Sequence, residues 1–338
     1  MQDKMKAYVL HQVNDLRYED VYIPNCPKGW ALVKVKAAGI CSSDIARVFT
    51  KGTYHFPTIP GHEFSGIVER VGDNVDASFI GRHVGVFPLI PCKECGQCRG
   101  KHFEMCAHYD YIGSRRDGAF SEYVAAPVWN LIPLDEEISF TSAAMLEPLS
   151  VALHACKISR MGIGHSVGIV GTGMIGIAAG LWAKKKNASS VTIIGRSEDK
   201  RQLVESIGLD YVTESESDFD FVLEAVGTPI SISSAISLTK PGGTLVLMGN
   251  PSADILIKQD IYWRILRKQL RLYGTWNSSF DGKHPSDWTE AANALANKEI
   301  NVEPLISHCF SQDNLKEGLY LMKDKKEPYC KVMTIWNE

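Results

Sequence analysis

The chain has no strong excess of charge of either sign. Lys and Arg number 36 against 39 Asp and Glu, a formal net charge of −3 over 338 residues. Without a basic tract, neither nucleic acid nor an anionic membrane surface is expected as its main partner. Long apolar runs are missing too; none approaches the roughly 18 residues that a membrane-spanning helix needs. The opening residues, Met1 to Lys6, are polar and lack the apolar centre of an export signal, so the expected location is the cytoplasm. Internal repeats and low-complexity stretches are absent as well. Hydrophobic residues at 45% and charged residues at 22% describe an ordinary folded protein. A length of 338 residues exceeds one average domain and points to two.

Cysteine breaks this plain composition. There are nine, and four of them crowd into the stretch from Cys92 to Cys106. In a reducing compartment that density reads as metal binding rather than disulfide formation. Cys92-x2-Cys95-x2-Cys98-x7-Cys106 supplies four thiolates, a full tetrahedral shell for a structural zinc. An iron–sulfur cluster also uses Cys-x2-Cys-x2-Cys and stands as the alternative.

Apolar periodicity divides the chain. Ala31-Leu-Val-Lys-Val-Lys36 alternates, predicting a strand with one solvated face, and glycines at 61, 66, 72, 81 and 85 space short apolar runs. That pattern predicts a compact antiparallel barrel. Near Ser150 the texture changes. Ser166–Val170, Val191–Ile194, Phe219–Leu223, Thr244–Met248 and Leu270–Tyr273 are apolar runs separated by helix-length segments, including Met174–Lys186. Strands buried on both faces and alternating with helices predict a parallel, doubly wound α/β sheet. The expected domains are 1–150 with 284–338, the tail returning through the apolar segment Lys331–Trp336, and 151–283.

Gly171-Thr-Gly173-Met174-Ile175-Gly176 lies between a predicted strand and a predicted helix. Such glycines allow a tight turn, close approach to a pyrophosphate and close helix–strand contact, and the helix N-terminus favours the negative charge. Nicotinamide nucleotides with a free ribose 2′-hydroxyl usually meet Asp or Glu after the second strand. Here the chain reads Gly195-Arg196-Ser197, with Lys200 nearby. Glycine removes the repelling carboxylate and Arg196 offers a guanidinium for a 2′-phosphate, so NADP(H) is expected over NAD(H).

A dispersed set remains: Cys41, His62, Glu63 and Glu147. Mixed S, N and O donors from separate segments suit a zinc with one open position.

Gly61-His62-Glu63-x2-Gly66-x5-Gly72-x2-Val75 resembles the signature of the zinc-containing medium-chain alcohol dehydrogenases, and the cysteine lobe and nucleotide loop follow in that family's order. The resemblance implies a GroES-like catalytic domain, a Rossmann domain, a cleft for substrate between them, and two zinc ions per chain. Glu147-Pro-Leu-Ser-Val-Ala-Leu-His154 is similar to the sorbitol dehydrogenase branch. Cys41, His62 and either Glu63 or Glu147 are then the implied ligands. Ser43 is placed at a hydroxyl relay, Asp44 behind a ligand such as His62, and Lys331 at the cofactor phosphates. Many members carry a relay histidine where this chain has Ala46, so the proton is expected to leave through water or His55.

Tyr109–Gly118 and Tyr273–Ser279 resemble polyol-phosphate dehydrogenases of that branch, which implies a galactitol-1-phosphate-like substrate. Arg47, Arg115 and Arg116 are the candidate phosphate partners. An NADPH-dependent ketose-phosphate reductase of the ribulose-5-phosphate type is the main alternative; sorbitol- and threonine-type dehydrogenases follow. A non-catalytic zinc and nucleotide-binding protein is the alternative of another class. Rossmann sheets in the family often join edge to edge, implying a homodimer or homotetramer.

Overall fold

The computed structural model of the chain describes residues 3–282 and 285–336. Two compact units emerge: Met1–Glu147 with Ser279–Glu338, and Pro148–Ser278. The change of texture near Ser150 falls inside the helix Leu146–Ile158. The expected boundary at 283/284 falls on residues outside the described set.

The strand Trp30–Ile40 organises the first unit. It pairs antiparallel with Glu63–Val71, Tyr123–Pro127 and Lys331–Ile335. Trp30, Lys34 and Lys36, all on one face, keep partial exposure, while Ala31, Val33 and Val35 on the other are buried, so one face meets solvent along part of its length. The sheet continues through His83–Val86 to Leu131–Pro133 on one side and to Ile306–Ser311 on the other. Ile306–Ser311 and Lys331–Ile335 run parallel, because the helix Leu315–Asp324 carries the chain back between them. The sheet is therefore mixed rather than purely antiparallel. Val33, Val35, Val84, Val86, Phe120 and Trp336 lie in its apolar core. Each side chain of this size, fully buried, stabilises by roughly 1.5–3 kcal/mol.

In the second unit six strands, all parallel, lie in the order Asp210–Val212, Ser190–Ile194, Ser166–Val170, Phe219–Glu224, Thr239–Leu247 and Arg271–Gly274. The strand Asp210–Val212 is absent from the sequence reading, since three residues are too few for a periodic signature. The order reverses between Ser166–Val170 and Phe219–Glu224. Ligands of such sheets bind outside the carboxyl ends of the strands at that switch point, where Gly171 follows Val170. Among the described residues no helix is long and apolar enough to cross a membrane.

Candidate active site

Strand pairing brings the dispersed donors together. Trp30–Ile40 ends immediately before Cys41, and its neighbour Glu63–Val71 begins at the second donor pair, with Gly39 opposite Glu63. A Cβ on Gly39 would stand 2.5 Å from a Glu63 carboxylate oxygen, so only glycine leaves room for that side chain. The ligand atoms of Cys41, His62 and Glu63 all lie within 4.8 Å of one another, with His62 and Glu63 buried. A thiolate, an imidazole and a carboxylate so spaced are the donor set of an open zinc site.

The supporting shell is equally ordered. Asp44 is fully buried; one carboxylate oxygen accepts from the Cys41 N–H at 2.9 Å, the other from Arg47 Nη1 at 2.8 Å. That second oxygen also lies 3.4 Å from His62 Nδ1, which leaves Nε2 free of this contact. Burial disfavours the Asp44 charge, but His62, Arg47 and the Cys41 N–H outweigh it and hold the group at about 2. Burial likewise opposes a charge on His62, yet Asp44 and Cys41 push its pKa well above the usual imidazole range.

Glu147 joins this buried cluster from the start of Leu146–Ile158. It stands outside the trio of ligand atoms and accepts from the Tyr111 hydroxyl at 3.4 Å. Burial raises its pKa to about 7; the Glu63 charge adds to the rise, and His62 and Lys331 oppose it. Tyr111, in the two-residue strand Asp110–Tyr111, was not singled out in the sequence, because a strand so short carries no periodic or ligand-spacing signal.

Lys331 requires a correction. It was expected at the cofactor phosphates, but its ammonium is 3% exposed and ion-paired with Glu63. Register explains the placement: Val332 pairs with Ile40, which sets Lys331 beside Cys41 at the end of the central strand. His55 braces a loop, its ring nitrogens 3.2 Å from the Pro57 carbonyl and 3.1 Å from the Arg115 carbonyl. Of the three arginines, Arg47 is committed to Asp44 and to Ser43 Oγ at 2.9 Å, and Arg116 to Asp110 at 2.6 Å. Both guanidiniums thus have carboxylate partners within the chain. Arg115 lies over the rings of Tyr54 and Tyr109.

The cysteine lobe is a separate structure. Cys92, Cys95, Cys98 and Cys106 place their sulfurs within 4.8 Å of one another, with 3.9 Å between those of Cys92 and Cys98. Zn–S bonds of about 2.3 Å in a tetrahedron require about 3.8 Å between sulfurs, so the set fits zinc. Backbone N–H groups donate to the sulfurs of Cys92 and Cys106 at 3.4 and 3.3 Å. The Cys98 N–H leads the contacts that lower the Cys95 pKa to about 6.

In the second unit Gly171 takes φ +125°, and a side chain on Gly176 would collide with the Gly171 carbonyl. Gly173 caps the helix Met174–Lys185 and faces open space, so a pyrophosphate has access to the free N–H groups of Met174 and Ile175. A side chain at buried Gly195 would strike the Tyr211 hydroxyl, which donates to the Ser197 carbonyl. An Asp or Glu there would have to displace the Tyr211 ring. Arg196 is exposed and without a bonded partner among the described residues, while Ser197 Oγ donates to Asp199 at 2.9 Å. Lys200 ends the turn Glu198–Lys200.

Comparison with known proteins adds to this geometry. Residues 27–136 match the family described as alcohol dehydrogenase GroES-like domain, and residues 175–297 match zinc-binding dehydrogenase. Galactitol 1-phosphate 5-dehydrogenase of Escherichia coli (strain K12) is 33% identical over 301 residues, 85% of this chain and 87% of that protein. The crystal structure of galactitol-1-phosphate dehydrogenase from Escherichia coli superposes with a TM-score of 0.91 at 32% identity, covering 98% of this chain and all of that one. A zinc-binding dehydrogenase from Sinorhizobium meliloti 1021, bound to NADP, superposes with a TM-score of 0.89 at 28% identity, covering 99% and 100%. A relative 33% identical over 85% of the chain, with two family matches in sequence order, places the chain in the zinc-dependent medium-chain alcohol and polyol dehydrogenase family.

Proposed function

We propose that the chain interconverts a secondary alcohol and a ketone on a polyol or polyol phosphate, with NADP(H) as hydride carrier. The clustering of Cys41, His62 and Glu63 within 4.8 Å carries this reading. A zinc ion held by these residues, with Glu147 as a further carboxylate beside them, would acidify an alcohol hydroxyl and polarise a carbonyl. Asp44 fixes the imidazole ring of His62. Arg47 donates to Ser43 Oγ, so that hydroxyl keeps its own proton for a second partner and passes on the proton of the substrate hydroxyl. Ala46 offers no imidazole, and both nitrogens of His55 lie near backbone carbonyls. The onward route is then solvent. Cys92, Cys95, Cys98 and Cys106 would hold a second, purely structural zinc.

Arg196 supports the choice of nucleotide: an unpaired guanidinium after the second strand, beside a glycine that Tyr211 keeps bare. NADPH is expected to be used with a higher kcat/KM than NADH. Arg196→Ala should lower that value for NADPH by about 10- to 100-fold, the worth of one or two hydrogen bonds to a charged group. Steady-state kinetics with both nucleotides decides the matter, and a wild-type preference for NADH would refute it.

The strand Arg271–Gly274 supports self-association. It is the edge of its sheet and exposed throughout, with Leu272 and Tyr273 at 41% and 37% exposure. An uncovered apolar edge invites pairing with a second copy. Light scattering at micromolar concentration should give at least twice the 37.4 kDa chain mass, and Leu272→Lys should lower it. A wild-type monomer would contradict this.

A further inference from the structure

Arg115 is the one guanidinium of the three candidates without a carboxylate partner among the described residues. Its guanidinium carbon lies 4.1 Å from the Tyr54 ring centroid and 4.5 Å from that of Tyr109. Its Nε is buried with no hydrogen-bond partner. Two rings thus hold a cation by its plane, an arrangement that restricts the side chain without neutralising it.

The loop that carries Arg115 is tied to the metal ligands by backbone. The Tyr111 carbonyl accepts from Arg115 N at 2.9 Å and Arg116 N at 3.1 Å, which closes the loop on itself. Beyond it, Gly118 N donates to the Ile59 carbonyl at 2.7 Å and Ala119 N to the Gly61 carbonyl at 2.9 Å. Asp117 accepts from Ile59 N at 2.9 Å. Side chains on Gly113 or Gly118 would collide with Gly61 itself, so these backbones touch directly. Gly61 precedes the ligands His62 and Glu63. Aromatic rings bridge the remaining span. Tyr109 lies 6.2 Å from Tyr111, and Tyr111 lies 5.9 Å from His62, centroid to centroid. A cation held by two tyrosines, without a carboxylate partner among the described residues, is therefore joined to the metal donors by a wall of two tyrosines.

We propose that Arg115, held by Tyr54 and Tyr109, is the anchor for the phosphate of a polyol phosphate monoester whose carbinol lies at the Cys41–His62–Glu63 site. The proposal rests on the dehydrogenase reading given above and names its substrate class. A guanidinium meets a phosphate through two parallel N–H···O bonds, and its prior restriction reduces the entropy lost when that contact forms. Phosphate binding at one end of the chain then selects which hydroxyl reaches the metal donors.

The test uses the zinc-replete enzyme with galactitol 1-phosphate and sorbitol 6-phosphate, each paired with its free alditol, and with both nucleotides. The quantity read is the ratio of kcat/KM for phosphate ester over free alditol. Wild type should favour the esters, and Arg115→Met should lower the ratio by about 10- to 100-fold, mainly through KM. Arg115→Lys, which keeps charge but loses the planar fork, should recover part of it, and Arg116→Ala should leave the ratio alone. A ratio that survives Arg115→Met overturns the anchor. So does a wild-type enzyme that oxidises free alditols as well as their phosphates, an outcome that leaves the dehydrogenase standing. No oxidation of any of these alcohols with either nucleotide instead removes the polyol reading given above, and the anchor with it.

Discussion

Cys41→Ala should lower turnover by about 10³-fold or more and reduce bound zinc from two ions per chain to one. The loss follows from removing one ligand of an open metal site, since the polarisation such a site supplies is worth several kcal/mol in the transition state. Stability should hardly move. Cys41 is only half-buried, and the Cys41 N–H that Asp44 accepts remains after the substitution. Truncation at such a position costs about 1 kcal/mol or less, a shift of a few degrees in Tm. Metal analysis and scanning calorimetry on the same samples separate the two effects. Two zinc ions retained with full activity would remove Cys41 from the site. A single zinc in the wild-type chain would instead favour the lobe alone and a protein without chemistry.

Lys331→Met carries the second large effect, this time on stability. Lys331 and Glu63 form an ion pair with both side chains almost fully buried, at 3% and 2% exposure. Glu147 shares the cluster, and the Glu63 charge already helps to raise its pKa. Removing the ammonium strands a carboxylate beside another acid in a region short of water. Breaking a buried pair in this way costs about 3–5 kcal/mol. The comparison belongs in the Cys41→Ala background, where no metal at the site takes over the freed carboxylate. There Lys331→Met should destabilise strongly, and adding Glu63→Gln should restore at least half of the loss. Urea unfolding of the four proteins gives the coupling energy. Additive effects would mean that the two side chains do not depend on each other.

Much of the fold was legible in the chain because burial on two faces and burial on one leave different periods. Four of the expected apolar runs, Ser166–Val170, Val191–Ile194, Phe219–Leu223 and Leu270–Tyr273, coincide with strands to within a residue or two at each end. Thr244–Met248 captures only the second half of Thr239–Leu247, since Pro241-Gly242-Gly243 masks its start. The alternation at Ala31–Lys36 carries through: Ala31, Val33 and Val35 are buried, while Lys34 and Lys36 on the other face keep partial exposure. The four-cysteine lobe was legible because all its ligands lie within one loop. Cys41, His62 and Glu63 were identifiable as types, but their approach depends on the pairing of Gly39 with Glu63.

What the sequence by itself determined is whatever short-range chemistry encodes: the strand–glycine–helix cradle, the thiolate lobe, the bare position at Gly195 and the guanidinium that follows it. Only the tertiary structure decided which charges meet. Lys331 lies 268 residues from Glu63 in the chain, and a one-residue change of register on Lys331–Ile335 would turn its ammonium to the opposite face of the sheet. The arginines divide on this point. Arg47 and Arg116 meet carboxylates only three and six residues away, within their own segments. Arg115 lies over Tyr109 of its own loop and over Tyr54, a ring that a distant part of the chain brings up, which no local pattern announces.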